Sequence, residues 1–492
     1  MLYCNPYLIH TADVSKQVNI ILDPFLSYLS NMRSFLLIVF AFLFSIVSNA
    51  QDVQSRLAVA MRKLEEDPQF KHASLSLFVV NSKSGMRVFE KNSKVGLAPA
   101  SCQKVITSVA AFDLLGKDYR FRTQLAHDGS IENHVLRGNL HILGSGDPTF
   151  GSARWSSTGE NVILKNWVDE IRKKGIAEIT GSLVTEGKNW DASTIPDGWI
   201  WQDIGNYYGA GASLLNWREN QYDLVLQSGS KPGDSVKITG TVPALWNVNF
   251  VSELVAAEKG SGDNAFIYLP VNSSTAHVRG TIPAGEKRFV ISGAFPNSAV
   301  QFVETLRRSL QDAGVSVPLP ADNLKRATPT VIATQLSPPL DSINYWFLKK
   351  SINLYGEALI KAIGFEKGGM GSTGKGIEIL RFFWSQRGIE KSEINILDGS
   401  GLSPQNRVTT EALVKVMQHA KTRLWYPSFL QALPEINGIK MKSGSIGGAR
   451  SYTGYITSRA GDEFTFAIIV NNYDGSAGEV VRKIWRVLDV MK

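Results

Sequence analysis

The chain has 492 residues, 43% hydrophobic and 20% charged, which excludes a disordered or fibrous sequence and allows more than one buried core. Its formal charge of +8 (52 Lys and Arg against 44 Asp and Glu) is scattered, with no basic run beyond clusters such as Arg172-Lys173-Lys174. That distribution argues against a nucleic-acid-binding stripe and fits either a solvated surface or affinity for anionic cell-wall polymers.

The N-terminus reads as an export signal. Met32-Arg33 precedes the apolar run Phe35 to Val47, and Ser48-Asn49-Ala50 supplies the small residues of a cleavage site. That run is too short to span a bilayer comfortably. Residues 32–50 are therefore expected to be a signal peptide, with 1–31 a non-native extension upstream of the true start at Met32. No Cys follows the run, so a lipoprotein anchor is not expected; after cleavage only Cys102 remains, and no internal disulfide can form. The mature chain is expected outside the inner membrane, in the periplasm or envelope, with peripheral membrane association allowed.

Downstream, 74–91 reads as a hairpin: Leu75, Leu77 and Val79 alternate, Ser84-Gly85 turns, and Met86 to Phe89 returns. Pro99-Ala100-Ser101 then opens a segment apolar on most sides (Val105, Ile106, Val109, Ala110, Phe112, Leu114, Leu115), hence a buried helix, with Gly116 as its stop. Between about 125 and 325 the texture changes to Gly-rich turns and short β-prone runs, read as inserted strand-rich structure, two nested domains with the inner one near 220–295. The remaining segments, 51–124 and 326–492, form the expected catalytic domain. In its second half the spacing predicts helices over 341–363, 376–387, 409–422 and 478–491, and strands over 451–459 and 463–472. Strands near both ends with helices between give an α+β class with an antiparallel sheet built from both termini.

Three short motifs carry the chemistry. In Ser101-Cys102-Gln103-Lys104 the serine and lysine lie almost one helical turn apart, so their side chains can meet. A serine hydroxyl is a poor nucleophile until a base takes its proton, and a lysine is such a base at neutral pH only if burial or a second cation lowers its pKa. Lys442, on a strand beside this helix, can be that cation, and the helix start puts the Ser101 N–H where an oxyanion would form. Ser351-Ile352-Asn353, within or near the start of a helix, offers a hydroxyl and an amide to relay a proton and orient Lys104 or the substrate. Lys442-Ser443-Gly444-Ser445, read as an edge strand over 440–445, offers charge and hydroxyl to a carboxylate, space at Gly444 for a peptide backbone, and the Ser445 N–H as a second oxyanion donor. Each motif alone has a plainer reading, as a cap or a solvated turn; their order and spacing favour a site.

The stretches Pro99–Thr107, Gly144–Thr149, Leu348–Asn353, Asp398–Ser403 and Lys442–Ser445 together resemble the low-molecular-mass class C penicillin-binding proteins, D-alanyl-D-alanine carboxypeptidases and endopeptidases. The resemblance runs from about residue 55 to the C-terminus, and the 250 residues between Ser101 and Ser351 fit that family's large insertion. It implies a β-lactamase/DD-peptidase-like fold, an antiparallel sheet flanked by helices with an all-helical subdomain. It also implies Ser101 as acylated nucleophile, Lys104 as general base, Ser351 and Asn353 as relay and substrate ligand, and Lys442 with Ser443 for carboxylate binding, with β-lactams as covalent inhibitors and peptidoglycan peptides as substrates. Two positions depart from the pattern: Ile352 replaces the acidic middle residue of S-D-N, and Ser443 the threonine of K-T-G.

Other signals are weaker. Gly369-Met370-Gly371-Ser372-Thr373-Gly374 matches G-x-G-x-x-G but follows a helix, not a strand, so no dinucleotide is expected. None of the seven histidines begins H-E-x-x-H, so neither metal nor cofactor is expected. The E-x-x-L-N loop of class A β-lactamases is missing. The rival reading from another class is a catalytically silent peptidoglycan-binding or penicillin-sensing module.

Overall fold

The computed structural model describes residues 52–318 and 328–492. The expected N-terminal extension (1–31), the signal peptide (32–50) and the boundary at 325/326 lie outside the described residues. The class is α+β, as expected.

Six antiparallel strands form the main sheet, in the spatial order Glu435–Ile436, Ile439–Ile446, Ala449–Thr457, Glu463–Asn471, Ser74–Asn81, Arg87–Lys91. The first hairpin thus joins the last strands of the chain, Leu77 opposite Ile468. Strand alternation sends Leu75, Leu77 and Val79 to one face, where they pack with Leu57, Met61 and Leu64 of a helix over 52–66 and with Val480, Ile484 and Leu488 of the C-terminal helix Ala477–Asp489. That helix is strongly amphipathic, charged outside and apolar inside, as its position over one sheet face requires.

The opposite face carries the helical subdomain. The helix Lys104–Leu115 has no polar stripe, and its first nine residues are all buried, which is why it lies at the centre of the core rather than on its surface. Gly116 ends it at φ +89. The helix expected over 341–363 is two helices, Leu340–Lys349 and Asn353–Gly368. The break falls at Lys350-Ser351-Ile352, where Ser351 has φ +57, a backbone conformation that costs a non-glycine residue about 1 kcal/mol or more. The other expected helices form within a few residues of their limits: Thr373–Ser385, and Thr410–Lys421 with the Thr409 hydroxyl accepting from the Ala412 amide.

The chain enters and leaves the inserted region side by side, because Arg122–His127 pairs antiparallel with Thr330–Leu336 in a four-stranded sheet completed by Leu140–Leu143 and Leu183–Glu186. Residues 221–294 hold two three-stranded sheets, one centred on Gln221–Ser228 and one on Thr275–Pro283. All these layers share one apolar core with the helices Glu160–Lys173 and Ser298–Asp312. At its middle Phe150, Trp167, Trp217 and Phe302 interlock, with the Trp217 and Phe302 ring centroids 4.7 Å apart.

Candidate active site

Ser101 sits in a 3-10 turn, Ala100–Gln103, that feeds the buried helix. The turn is wedged between two backbones. Ala100 is held at φ +46, and Gly401 packs against its carbonyl so closely that a Cβ there would stand 2.0 Å from the Ala100 oxygen. On the other side a Cβ on Gly444 would meet the Pro99 oxygen at 2.5 Å, the Cys102 nitrogen at 2.9 Å and the Ser451 hydroxyl at 2.3 Å. The space expected at Gly444 for a peptide backbone is therefore taken by the protein's own serine-bearing turn. Glycine at 444 lets the strand close onto that turn.

Lys104 is completely buried, and its Nζ stands 2.8 Å from Ser101 Oγ, 2.6 Å from Asn353 Oδ1 and 2.7 Å from the Ser400 carbonyl oxygen. The Asn353 amide cannot flip freely, because its Nδ2 donates to the Tyr208 carbonyl at 2.7 Å. Desolvation pushes the Lys104 pKa well down, the nearby Lys442 pushes it further, and Asp398 and Glu357 oppose the shift. A neutral Lys104 has two N–H groups for the two fixed carbonyl acceptors and one lone pair left, which faces the serine hydroxyl. The arrangement suits proton abstraction from Ser101.

Lys442 is 1% exposed, donates to the Ser443 carbonyl at 2.7 Å, and is lowered by burial to about 8. Cys102 donates its thiol to the Lys442 carbonyl, and burial raises it to about 11, so it stays protonated and acts in packing.

Two buried acids complete the cluster. Asp398 accepts from five donors: the side chains of Gln103, Trp199 and Asn406 and the backbone amides of Gly401 and Ser403. Glu357, one turn after Asn353, accepts from the Gly399 amide at 2.9 Å, and burial beside Asp398 raises it to about 8. Together they hold the 398–401 loop, whose Ser400 carbonyl engages Lys104.

These groups open onto a cleft of about 830 Å³. Its walls include Ser101, Ser351, Asn353 and Ser445, whereas Lys104, Lys442, Ser443 and Gly444 lie behind or beside them. The outer edge of the strand Ile439–Ile446 is paired with Glu435–Ile436 and, through the Met441 amide to the Pro434 carbonyl, as far as Met441; beyond it Ser445 and Ile446 border the cleft.

The inserted region supplies the facing wall, with Arg154, Gln202, Asp203, Tyr207, Tyr208, Gln221 and Phe266. Burial lifts the Asp203 carboxyl to about 6 while the Tyr208 hydroxyl partly offsets it. The insert is fastened to the helix Asn353–Gly368 at several points. Buried Lys361 donates to the carbonyls of Ser193 and Ala212, and the Tyr355 hydroxyl donates to Glu219 at 2.7 Å. Sequence reasoning missed Tyr208, Ser400, Glu357 and Lys361. Both Tyr208 and Ser400 act through backbone oxygens; Tyr208 leaves no sequence trace, while Ser400 lies in the Asp398–Ser403 stretch that carries the resemblance without being given a role. Glu357 and Lys361 had a usable signal, as charged residues in a helix otherwise apolar around Leu354, Ala358, Leu359, Ile360 and Ile363.

Comparison with known proteins gives four consistent findings. The family described as D-Ala-D-Ala carboxypeptidase 3 (S13) matches residues 57–440. The D-alanyl-D-alanine carboxypeptidase DacB of Haemophilus influenzae is 25% identical over 438 residues, 84% of this chain and 88% of that protein. A D-alanyl-D-alanine carboxypeptidase of an Actinomadura species is 25% identical over 453 residues, 84% of this chain and 80% of that one. The crystal structure of penicillin binding protein 4 from H. influenzae superposes with a TM-score of 0.75 at 22% identity, over 89% of this chain and 99% of that one, which establishes a common fold.

Proposed function

Because the chain belongs to the D-Ala-D-Ala carboxypeptidase 3 (S13) family, we propose that Ser101 is the acylated nucleophile of a serine-type D-Ala-D-Ala carboxypeptidase that also has access to DD-endopeptidase chemistry on peptidoglycan stem peptides. The observation that carries this reading is the 2.8 Å approach of a fully buried, pKa-lowered Lys104 to Ser101 Oγ.

Lys104 takes the Ser101 proton as Oγ bonds to the carbonyl carbon after a D-alanine. The resulting oxyanion is held by the Ser101 and Ser445 backbone N–H groups. Collapse breaks the C–N bond, and the leaving amine receives the proton through the Ser351 hydroxyl, with Asn353 aligning Lys104 and the substrate amide. Water, deprotonated by the same lysine, then attacks the ester carbonyl, and the proton passes from Lys104 to Ser101 Oγ as the acyl C–O bond breaks. Lys442 supplies positive potential for the substrate carboxylate, with Ser443 beside it. Support for an open cleft rather than a closed binding module comes from Ser101 lining the cavity with every group of the buried cluster in place. β-Lactams acylate Ser101 by the same step.

Among the described residues no helix is long and apolar enough to cross a membrane. The export signal read at 32–50 supports a mature protein in the periplasm or envelope. Incubation of purified protein with a pentapeptide muropeptide and with a cross-linked dimer, followed by chromatography, tests the activity. Release of D-Ala, of monomers from the dimer, or both is expected; neither product from a folded protein that also resists penicillin contradicts the reading.

A further inference from the structure

The inserted region does more than wall the cleft: it carries an exposed aromatic surface that continues outward from it. Trp201 is 52% exposed and Tyr207 52%, unusual values for large rings, and Ile200 beside them is 43% exposed. Trp201 leans on Tyr268, ring centroids 6.0 Å apart at 34°. Tyr268 belongs to the strand Asn264–Tyr268, where Ala265 and Ile267 are buried and Phe266 and Tyr268 share the outer face. Phe266 lines the cleft, so this face begins where the cleft ends.

Polar groups held in fixed planes border the rings. Tyr268 and Phe266 stand opposite His277 and Arg279 on the neighbouring strand. The Arg279 guanidinium lies 5.3 Å from the centre of the Tyr268 ring. Glu253, on the third strand, accepts from Arg279 Nε at 2.8 Å, and its other oxygen is 2.7 Å from His277 Nδ1. Each of these side chains keeps further hydrogen-bonding capacity toward solvent.

We propose that this face is a saccharide-binding platform for the N-acetylated hexosamine chain to which the stem peptide is attached, an inference that rests on the peptidase reading of the cleft. A peptide whose D-Ala end reaches Ser101 has its other end joined to the glycan, so the glycan must pass a margin of the cleft. Sugar rings present an apolar C–H face, which Trp201 and Tyr268 match, and a rim of hydroxyl and acetamido groups, which Arg279, His277 and Glu253 match. An anionic lipid surface fits less well, because Glu253 opposes the charge of Arg279 at the centre of the patch.

The test uses the full mature chain and two variants, Trp201→Ala at an exposed ring and Tyr268→Ala at the half-buried ring it leans on. Tetra-N-acetylchitotetraose is titrated by calorimetry into wild type, both variants and Ser101→Ala. Separately, kcat/KM is measured on a disaccharide-pentapeptide and on the same pentapeptide without sugar. Saccharide binding by wild type and Ser101→Ala is expected, weakened at least about fivefold in Trp201→Ala and Tyr268→Ala, the scale of one aromatic contact. The kinetic preference for the sugar-bearing substrate is expected to fall by a similar factor, with the bare peptide unaffected. Unchanged saccharide affinity and preference in both variants would overturn the proposal, as would a dimer seen in sedimentation that Trp201→Ala dissolves without affecting the saccharide. Failure of the peptidase reading looks different: neither peptide is cleaved, while binding of the tetrasaccharide still tests the platform.

Discussion

The two halves of the active-site cleft are built on opposite physical plans. On the side of the main sheet, the reactive groups are withdrawn from water. Lys104, Lys442, Glu357 and Asp398 are all at most 1% exposed, and burial with charged neighbours shifts the titration of Lys104, Lys442 and Glu357. On the side of the insert, the core is aromatic and closed, while the contribution to the site is a backbone carbonyl at Tyr208, a polar wall and a set of exposed rings. Burial sets reactivity on the first side; surface shape and chemistry set recognition on the second. The fastening at Lys361, Tyr355 and Asn353 lets one side orient the other.

Substitutions on the buried side should have the largest effects. Ser101→Ala should abolish penicillin acylation, and Lys104→Ala should slow it by about a thousandfold or more, as loss of nucleophile and of its base requires; stopped-flow acylation would measure both. Gly444→Ala drives a methyl into the Pro99 carbonyl and the Ser451 hydroxyl. We expect about 1–3 kcal/mol of destabilisation in denaturant titrations, with slower acylation as the serine-bearing turn is displaced.

A pH profile sharpens the comparison further. Lys442→Met removes a cation that lowers the Lys104 pKa, so the acidic limb of the acylation rate should move to higher pH; an unchanged limb would mean that Lys442 does not tune the base. Stability should respond separately. With a folded value of about 8 against 10.5 for a free lysine, the unfolded chain binds the extra proton between those values. The cost of burying Lys442 is therefore complete below about 8 and is relieved as pH rises towards 10.5, and the Met variant should lose that slope.

Glu357 gives a finer contrast. Burial pushes its carboxyl up to about 8, favouring the protonated form near pH 7, so Glu357→Gln should acylate within about twofold of wild type there, whereas Glu357→Ala leaves the Gly399 amide without its acceptor and should be clearly slower. Equal loss in both variants would show that the carboxylate charge, not the support of the loop, is what matters. A moderate effect is expected at the seam. Lys361→Met frees the carbonyls of Ser193 and Ala212, and acylation should fall by about three- to tenfold through loosening of the wall that carries Tyr208, with Ser101 itself untouched.

What the sequence disclosed follows the same division. Side-chain chemistry at regular spacing was legible: the hairpin at 74–91, the buried helix after Ser101, the three motifs and the α+β class. The break between Lys349 and Asn353 was not, because apolar periodicity runs through it and only the left-handed Ser351 interrupts the helix. Nor was the share of the insert in the site. Tyr208 and Ser400 act through oxygens every residue possesses, and the texture of 125–325 indicated strands without indicating what they face. Gly444 was noticed for the right property, its missing side chain, yet that space serves the protein's own turn rather than a ligand.

The central claim is that the buried lysine makes Ser101 the acylated residue. Intact-protein mass spectrometry of residues 51–492 after exposure to benzylpenicillin, with peptide mapping beside Ser101→Ala, tests it most directly. A single stoichiometric adduct mapped to Ser101 in the wild type and missing from the variant is the predicted result. An adduct elsewhere, or none on a folded wild-type protein, would contradict it.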